Sequence, residues 1–399
     1  MRLHELSRVE RATVYADGHA LGVLRRCAVD VAFQYRADYG GPPVATTLPV
    51  RSEAFSTGRP GAVPAFFAGL LPEGRRLSAL RRAVKTSADD DLTMLLAIGT
   101  DTIGHVQVLP EGVRLAAAEP LDQVAVGTFA DLRFVELFAR VLSSDPADRV
   151  GLPGVQDKVS GRMISLPISH RDRAWMLKLN PPEFPHLVEN EAFFLAAAQA
   201  SGLTVPEHEV VRDAAGATGL LIHRFDRVGT RRLAQEDGCQ VCGRYPADKY
   251  RLTSEELVLS LAAVCGAPVV AARDLLRQIV FAYLSCNGDA HAKNFSVLRG
   301  VDDEWSVSPA YDLPSSHPYG DTSVALSVGG KLREDICRAD FMAAGLAAGV
   351  RQRAMARVID DMVAAVPGWL SRLDELPFHV RRVHKLRKAI AYRVRRLVG

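Results

Sequence analysis

The feature that most constrains the fold of this chain is a polar loop directly after a long apolar stretch. In the segment LSCNGDAHAKNFSVL, residues 284–298, Asp289 precedes Asn294 by five positions. This is the Asp-x4-Asn spacing of a kinase catalytic loop, in which a carboxylate orients the acceptor hydroxyl and an amide holds a metal ion on the ATP phosphates. Since one rigid loop can carry both groups, the sequence predicts a phosphotransferase site here.

A second acidic residue follows where this chemistry needs it. Asp312 lies in SPAYDLPSS, after an apolar run and 23 residues beyond Asp289. Oxygen ligands of this kind suit Mg²⁺, and a kinase has its second metal-binding carboxylate at this point of the chain. Taken alone, a polar loop and a Tyr-Asp turn are more often structural, so the upstream residues decide between the two interpretations.

Three upstream features complete the linear order of a two-lobed kinase. Lys178 lies in the strand-like run WMLKL, where a buried cation needs an anionic partner such as a phosphate. Glu191, in the helical run ENEAFFLAAAQ, could pair with Lys178 as strand lysine and helix glutamate do in kinases, although acidic residues also favour a helix start by themselves. Gly151, Gly154 and Lys158 form a glycine-containing turn, but their spacing matches neither GxxxxGK[ST] nor GxGxxG. The joint order of these features favours a phosphotransferase.

The hydrophobic pattern divides the chain into a strand-rich module, a mixed lobe and a helical lobe. Short β-like runs, with a hairpin signal at Asp17-Gly18, dominate up to about residue 109, and two short helices are predicted in residues 64–84 and 89–99. We therefore predict an α+β, two-lobed protein-kinase-like fold. Its parts are an N-terminal strand-rich module at 1–118, a kinase N-lobe with the phosphate loop at 119–228, and a helical kinase C-lobe with the catalytic loop at 229–399.

The composition limits the cellular location of such a chain. The 399 residues are 48% hydrophobic, which is ample for a core, and a net charge of +3 is too small to attract nucleic acid by itself. The six cysteines are scattered, the first 15 residues contain no apolar segment typical of a secretion signal, and the longest apolar stretch is too short to cross a bilayer. We expect reduced thiols, no membrane span and a cytoplasmic protein.

The C-terminal run VRRVHKLRKAIAYRVRRLV, residues 380–398, has the period of an amphipathic helix. Nine Arg, Lys or His side chains and no acid accompany one apolar face, which consists of Val380, Val383, Leu386, Ile390, Val394 and Leu397. The pattern predicts a packing helix with a solvated basic face, and the alternative is contact with DNA phosphates.

Together these motifs make the chain resemble the HipA-type serine/threonine kinases, which act as toxins of bacterial type II toxin–antitoxin pairs. The resemblance covers nearly the whole chain and rests on YADGHALGVL, FFAGLLPEGRR, IGTDTIGHVQV, GVQDK, LKL, VENE, HRFDR, QEDGCQ, NGDAHAKNFS and PAYDL. It implies a kinase fold that uses ATP and Mg²⁺, with an aminoacyl-tRNA synthetase as protein substrate. It also implies a DNA-binding antitoxin of HipB type as partner, with operator DNA reached only through or alongside that antitoxin.

The resemblance also implies roles for individual residues. Asp289 would be the catalytic residue, Asn294 and Asp312 would bind Mg²⁺, and Glu191 would support Lys178. The candidate ATP-binding residues are Val155, Gln156, Asp157 and Lys158 of the phosphate loop, Lys178, the adenine-pocket residues His223, Arg224 and Phe225, and His291 and Lys293 of the catalytic loop. For His291, a phosphate contact and a structural hydrogen bond are both open.

One position departs from the family pattern. Many relatives carry a serine just before the phosphate loop and switch themselves off by phosphorylating it, whereas this chain has Gly151. Self-inactivation at that position is therefore in doubt. Ser160 lies elsewhere on the following strand and does not simply inherit the role.

Two other functions fit the same motifs. The core residues do not encode the acceptor, so a small-molecule kinase would use them equally well. A catalytically silent kinase-like scaffold would only bind an antitoxin and operator DNA, but the joint presence of Lys178, Asp289, Asn294 and Asp312 argues against it. We therefore predict a kinase that transfers the γ-phosphoryl group of ATP to a serine or threonine of another protein.

Overall fold

The computed structural model describes residues 3–84, 86, 87, 89–115, 124–137 and 163–398. The predicted phosphate loop lies outside these ranges, and with it Gly151, Gly154, Val155, Gln156, Asp157, Lys158 and Ser160. The predicted module boundary at residue 118 also lies outside them and stays a prediction. Within the described ranges, no helix is both long enough and apolar enough to span a membrane.

The N-terminal module is an antiparallel sheet covered by helices. Its strands are β1 (Arg11–Ala16), β2 (His19–Arg26), β3 (Val31–Tyr35) and β4 (Val106–Pro110), in the order β3-β2-β1-β4. Asp17 and Gly18 join β1 to β2 with φ angles of +50° and +81°, as a tight hairpin turn of the predicted kind requires. Alternate strand residues pack with the helices into one core that includes Phe33, Phe67 and Leu95.

Three helices occupy the segment where the sequence predicted two. They are α1 (Ala65–Gly69), α2 (Gly74–Val84) and α3 (Asp91–Ile98). The prediction was wrong because Pro72 lacks an amide hydrogen and disfavours helix in the residue before it, so the chain leaves the helix after Gly69 and resumes at Gly74. The acidic start of α3 is as predicted, since the Asp90 side chain accepts a hydrogen bond from the Thr93 amide at 3.2 Å.

In the part of the chain that the structure describes, the mixed lobe contains a five-stranded sheet that packs against a long helix. Its strands are β5 (Val124–Ala125), β6 (Ile164–His170), β7 (Arg173–Leu179), β8 (His208–Arg212) and β9 (Thr218–His223), in the order β5-β6-β7-β9-β8. Helix α4 (Leu187–Ala200) connects β7 to β8 and contacts the sheet. Lys178 lies on the central strand β7, opposite Ser165 of β6 and Leu220 of β9, and this position directs it into the interior of the protein.

The C-terminal lobe is mainly helical, as predicted, and contains the largest core. Its helices are α5 (Gly238–Val241), α6 (Ser254–Val264), α7 (Pro268–Leu284), α8 (Arg338–Ala347), α9 (Gln352–Leu370) and α10 (Val380–Val398). Short strands connect it to the rest of the chain: a ribbon of β10 (Arg227–Val228) and β11 (Arg231–Arg232), and a sheet of β12 (Gln235–Asp237), β13 (Ser296–Arg299) and β14 (Trp305–Val307).

Helix α10 packs on this lobe with the predicted face, with two exceptions. Val383, Leu386, Ile390 and Leu397 are buried, whereas Val380 begins the helix and is 70% exposed, so its assignment to the packed face was wrong. Arg393 was expected on the solvated face but is only 3% exposed. Most of the other basic side chains are exposed, as the amphipathic pattern predicts.

Candidate active site

Three distant segments meet at the ammonium group of Lys178. Its Nζ lies 2.7 and 2.9 Å from the two carboxylate oxygens of Glu191 on α4, and 3.0 Å from Oδ1 of Asp312 in the loop after β14. The Glu191 side chain is fully buried, and those of Lys178 and Asp312 are 12% and 20% exposed. Burial would lower the pKa of Lys178, but the two carboxylates outweigh it and raise that pKa, so the ammonium stays charged.

The catalytic loop brings Asn294 and Asp289 to the same place. The Nδ2 atom of Asn294 donates to Oδ2 of Asp312 at 3.1 Å and to the main-chain oxygen of Asp289 at 3.2 Å. Asn287 bridges the same two segments, since its Nδ2 donates to the Asp312 carbonyl at 3.2 Å and its Oδ1 accepts from the Asp289 amide at 3.0 Å. A Cβ atom on Gly288 would lie only 2.8 Å from Oγ of Ser316, so this tight turn requires glycine.

Asp312 adopts a left-handed backbone conformation, which residues with a side chain seldom adopt. Its φ angle is +56°, in the left-handed region, which costs of order 1 kcal/mol for a residue with a side chain. Burial would raise the pKa of Asp312, but the adjacent Lys178 ammonium lowers it overall, so the carboxylate is ionised. The surrounding fold therefore holds an anion in place beside Asn294.

Asp289 is 2% exposed and has a hydrogen-bond partner that the sequence analysis did not identify. The Tyr250 hydroxyl donates to Oδ1 of Asp289 at 2.5 Å. Tyr250 lies 39 residues upstream, in a loop before α6, and no motif spacing links it to Asp289.

His291 lies beside this pair and is neutral. It is 4% exposed, and burial together with the nearby Lys249 ammonium lowers its pKa to about 4. Its ring packs edge-on against the Tyr250 ring with centroids 5.1 Å apart. No described residue forms a hydrogen bond to Nδ1 of His291, so both sequence-based interpretations of this residue remain compatible with its position.

The ammonium of Lys293, a predicted ATP contact, faces the N-terminal module. Its Nζ lies 3.0 Å from the Gly69 carbonyl, 3.1 Å from Oε1 of Glu73 and 3.5 Å from Oδ2 of Asp237. The second oxygen of Glu73 lies 2.5 Å from Nζ of Lys249. Burial would raise the pKa of Glu73, but the two lysines lower it to about 2. Glu73 is therefore a charged residue of the N-terminal module at the edge of the catalytic loop.

The predicted adenine-pocket segment follows β9, and its side chains point in different directions. The Arg224 amide donates to the Ala174 carbonyl at 3.0 Å, which continues the pairing of β9 with β7. The Arg224 guanidinium, however, contacts Asp101 of the N-terminal module and Asp226. The His223 ring packs edge-on against Trp175 with centroids 5.3 Å apart, and the Phe225 ring lies 5.7 Å from Tyr311.

The side-chain oxygens of Asp312 and Asn294 are suitable ligands for a hard divalent cation. Asp312 offers an ionised carboxylate, and Asn294 an amide oxygen on a loop fixed by its own Nδ2 bonds. Among the described residues, no group of three His, Cys, Asp or Glu side chains could enclose a metal ion. Mg²⁺ commonly takes only one or two protein ligands and completes its shell with phosphate oxygens and water, so a pair of this kind suits it.

Comparison with known proteins places these features in a family context. The chain matches the HipA N-terminal domain over residues 12–109 and the HipA-like C-terminal domain over residues 150–370. It is 30% identical to the Sinorhizobium fredii protein named "Putative kinase Y4mE", over 96% of this chain and 97% of that one. It is also 26% identical to the serine/threonine-protein kinase toxin HipA of Shewanella oneidensis, over 74% of this chain and 72% of that protein.

A solved structure is similar over almost the full length. It is the Shewanella oneidensis toxin–antitoxin complex of HipA, HipB and operator DNA, in which the matching chain superposes with a TM-score of 0.76 at 20% sequence identity. The match covers 97% of both chains. The predicted α+β, two-lobed kinase-like fold with an N-terminal strand-rich module is thereby confirmed.

Proposed function

The chain belongs to the HipA family, and from that premise we propose that it is a kinase that transfers the γ-phosphoryl group of ATP to a serine or threonine hydroxyl of a protein. The observation that carries the proposal is the contact of Lys178 with both Glu191 and Asp312. These residues come from a strand, a helix and a late loop, and their meeting point lies beside the Asp289–Asn294 loop. Phosphoryl transfer requires this combination of a fixed cation, metal-binding oxygens and a carboxylate.

Each residue has a distinct task in the proposed reaction. Lys178 binds phosphate oxygens of ATP, and Glu191 keeps the ammonium oriented. Asn294 and Asp312 hold Mg²⁺, which when bound supplies charge neutralisation on the phosphates. Asp289 orients the acceptor hydroxyl, whose oxygen bonds to the γ-phosphorus while the bond from that phosphorus to the ADP oxygen breaks. The hydroxyl proton passes to the Asp289 carboxylate, so catalysis consists mainly of positioning and electrostatics.

The acceptor and the partner are the finer parts of the proposal. The family resemblance supports an aminoacyl-tRNA synthetase as the protein substrate and an antitoxin of HipB type as the neutralising partner. The fold similarity to a HipA chain solved together with HipB and operator DNA supports the partner and its route to DNA. Co-purification with the candidate antitoxin, followed by a mobility shift of operator DNA with and without that antitoxin, tests this part separately from catalysis.

Transfer of labelled γ-phosphate from ATP and Mg²⁺ to proteins of a bacterial lysate tests the activity. We expect one labelled protein band with the wild type and with Asp303→Asn, a control on an exposed loop, but none with Asp289→Asn. If the label appears only in a small-molecule fraction, the phosphate acceptor is a metabolite and not a protein. ATP binding without any transfer would favour the silent scaffold.

A further inference from the structure

The Asp289 carboxylate accepts a short hydrogen bond from a residue outside its own loop. The distance of 2.5 Å from the Tyr250 hydroxyl to Oδ1 is typical of a charge-assisted O–H···O⁻ bond, the stronger class of hydrogen bond. Such a bond resists rotation of the carboxylate about its Cβ–Cγ axis. The orientation of Asp289 therefore depends on where the Tyr250 ring lies.

Tyr250 is in turn attached to the catalytic loop on two sides. Its ring meets the His291 ring edge-on at 75° and 5.1 Å. The main-chain oxygen of the preceding residue, Lys249, accepts a hydrogen bond from the Ala292 amide at 3.0 Å. The segment that carries Tyr250 thus runs alongside the residues that follow Asp289.

The N-terminal module anchors this segment from the other side. Glu73 contacts Nζ of Lys249 at 2.5 Å and Nζ of Lys293 at 3.1 Å, and those two lysine side chains are only 17% and 11% exposed. In addition, the Lys249 ammonium lies 5.4 Å from the centre of the Tyr250 ring. One carboxylate between α1 and α2 therefore binds both the Tyr250 segment and the catalytic loop.

We propose that Tyr250 is a positioning residue for the catalytic carboxylate and that Glu73 of the N-terminal module acts through it. The inference rests on the proposed function for the role of Asp289. It assigns the N-terminal module a part in the chemistry, because the module would fix the orientation of the group that receives the acceptor proton. A misplacement of about 1 Å at such a group costs roughly 10²-fold in rate.

The test compares Tyr250→Phe with Tyr245→Phe, a matched control whose hydroxyl donates to the Val63 carbonyl at 3.0 Å and does not contact Asp289. Steady-state phosphotransfer and amide hydrogen exchange of residues 287–294 are measured on the full-length protein. We expect Tyr250→Phe to lower kcat by about 10- to 100-fold, to leave the KM for ATP within about twofold, and to speed the exchange. A kcat within about twofold of that of the control would overturn the proposal.

A double-variant cycle tests the link to the N-terminal module. Glu73→Gln should lower kcat by about tenfold. The control is Glu236→Gln, which should not lower kcat. Glu236 lies in the same interface with the N-terminal module, where it accepts hydrogen bonds from Thr46. If Glu73 acts through Tyr250, the double variant Glu73→Gln/Tyr250→Phe has the kcat of Tyr250→Phe alone. If the fold-losses in kcat of the two single variants multiply in the double variant, the two residues act independently and the link is overturned.

Wild type and Asp289→Asn in the same assay separate this inference from the proposed function. If the wild type transfers no phosphate, the proposed function is wrong, and hydrogen exchange alone decides whether Tyr250 orders the loop. If the wild type is active but Tyr250→Phe leaves kcat within about twofold of that of the control, the function stands and the inference is wrong.

Discussion

The Nη1 atom of Arg224, directly after β9, donates to both carboxylate oxygens of Asp101 in the N-terminal module, at 2.9 and 2.8 Å. Nη2 of Arg227 adds a contact to the same carboxylate at 2.9 Å, and both arginines also bind Asp226. All four side chains are less than 10% exposed. Nη1 of Arg232, whose side chain is 21% exposed, also lies 3.5 Å from Asp101, so three positive and two negative groups meet in this largely buried network between the module and the kinase lobes.

Removing one carboxylate from this network should be costly. In Asp101→Asn, Arg224 and Arg227 would keep their carbonyl acceptors but only Asp226 as a carboxylate partner, and we expect the free energy of unfolding to fall by about 3–5 kcal/mol, as measured by urea denaturation. The control is Asp38→Asn, because Asp38 is 72% exposed and water screens its pair with Arg36, so this variant should have almost the stability of the wild type. Equal losses in the two variants would contradict the buried-network account.

His105, in the same interface, should make stability depend on pH. It is 5% exposed, and burial, reinforced by Arg299 and Arg227, lowers its pKa to about 3. The folded protein therefore keeps His105 neutral, while the unfolded chain takes up a proton below its usual pKa of 6.5. Stability from this group is complete above pH 6.5 and is lost as the pH falls towards 3, by about 3 kcal/mol at pH 4.

Denaturation curves at pH 7 and pH 4 check the histidine effect. In His105→Gln, the loss of unfolding free energy between these pH values should be smaller than in the wild type by about 3 kcal/mol. His384→Gln, on the exposed face of α10, is the control for the replacement of a histidine by glutamine. A His105→Gln curve parallel to that of the wild type would mean that His105 titrates alike in both states.

The sequence predicted those parts of the site that depend on local pattern. Lys178 and Glu191 lie on the strand and the helix where the sequence placed them, and their contact is one of the two interpretations of Glu191 that the sequence left open. The Asp17-Gly18 turn and the position of Asp312 were equally local inferences. At the Asp17-Gly18 turn, the short-range backbone preference agrees with the final fold.

The parts that the sequence did not predict depend on long-range side-chain contacts. Lys293 reaches Gly69, which is 224 positions away, and Arg224 reaches Asp101, which is 123 positions away. The family resemblance placed both residues near the site, but it could not show that their charges turn towards the N-terminal module. The partners of a flexible cation are set by the docking of whole units, which hydrophobic periodicity does not encode.

Asn294 should determine how much Mg²⁺ the proposed reaction needs. Loss of even an outer-shell partner costs a metal site about 10-fold in affinity, so Asn294→Ala should raise the Mg²⁺ concentration for half-maximal transfer at least about tenfold. Gln34→Ala removes an exposed amide that donates to the Ser52 carbonyl and should leave this concentration unchanged. Chelation should abolish transfer by the wild type, and added Mg²⁺ should restore it. An unchanged Mg²⁺ requirement in Asn294→Ala would remove that residue from the metal site.

Arg393 should stabilise the fold, although the amphipathic pattern of α10 assigned it to the solvated face. Its Nη1 donates to the Tyr283 carbonyl at 2.6 Å, at the carboxyl end of α7, and its Nη2 donates to the Thr322 carbonyl at 3.2 Å. A cation at a helix carboxyl end is favourable, and burial strengthens the effect. Arg393→Met should therefore lower the free energy of unfolding by about 2 kcal/mol, whereas Arg395→Met, on the exposed face, should change it by less than about 0.5 kcal/mol.

The difference in unfolding free energy between these two variants should persist in 1 M NaCl. Salt at that concentration screens exposed charges over about 3 Å but has little effect on a buried guanidinium and its carbonyl acceptors. If high salt removes it, Arg393 acts from the surface, and the helix is the uniformly solvated basic face that its sequence predicted.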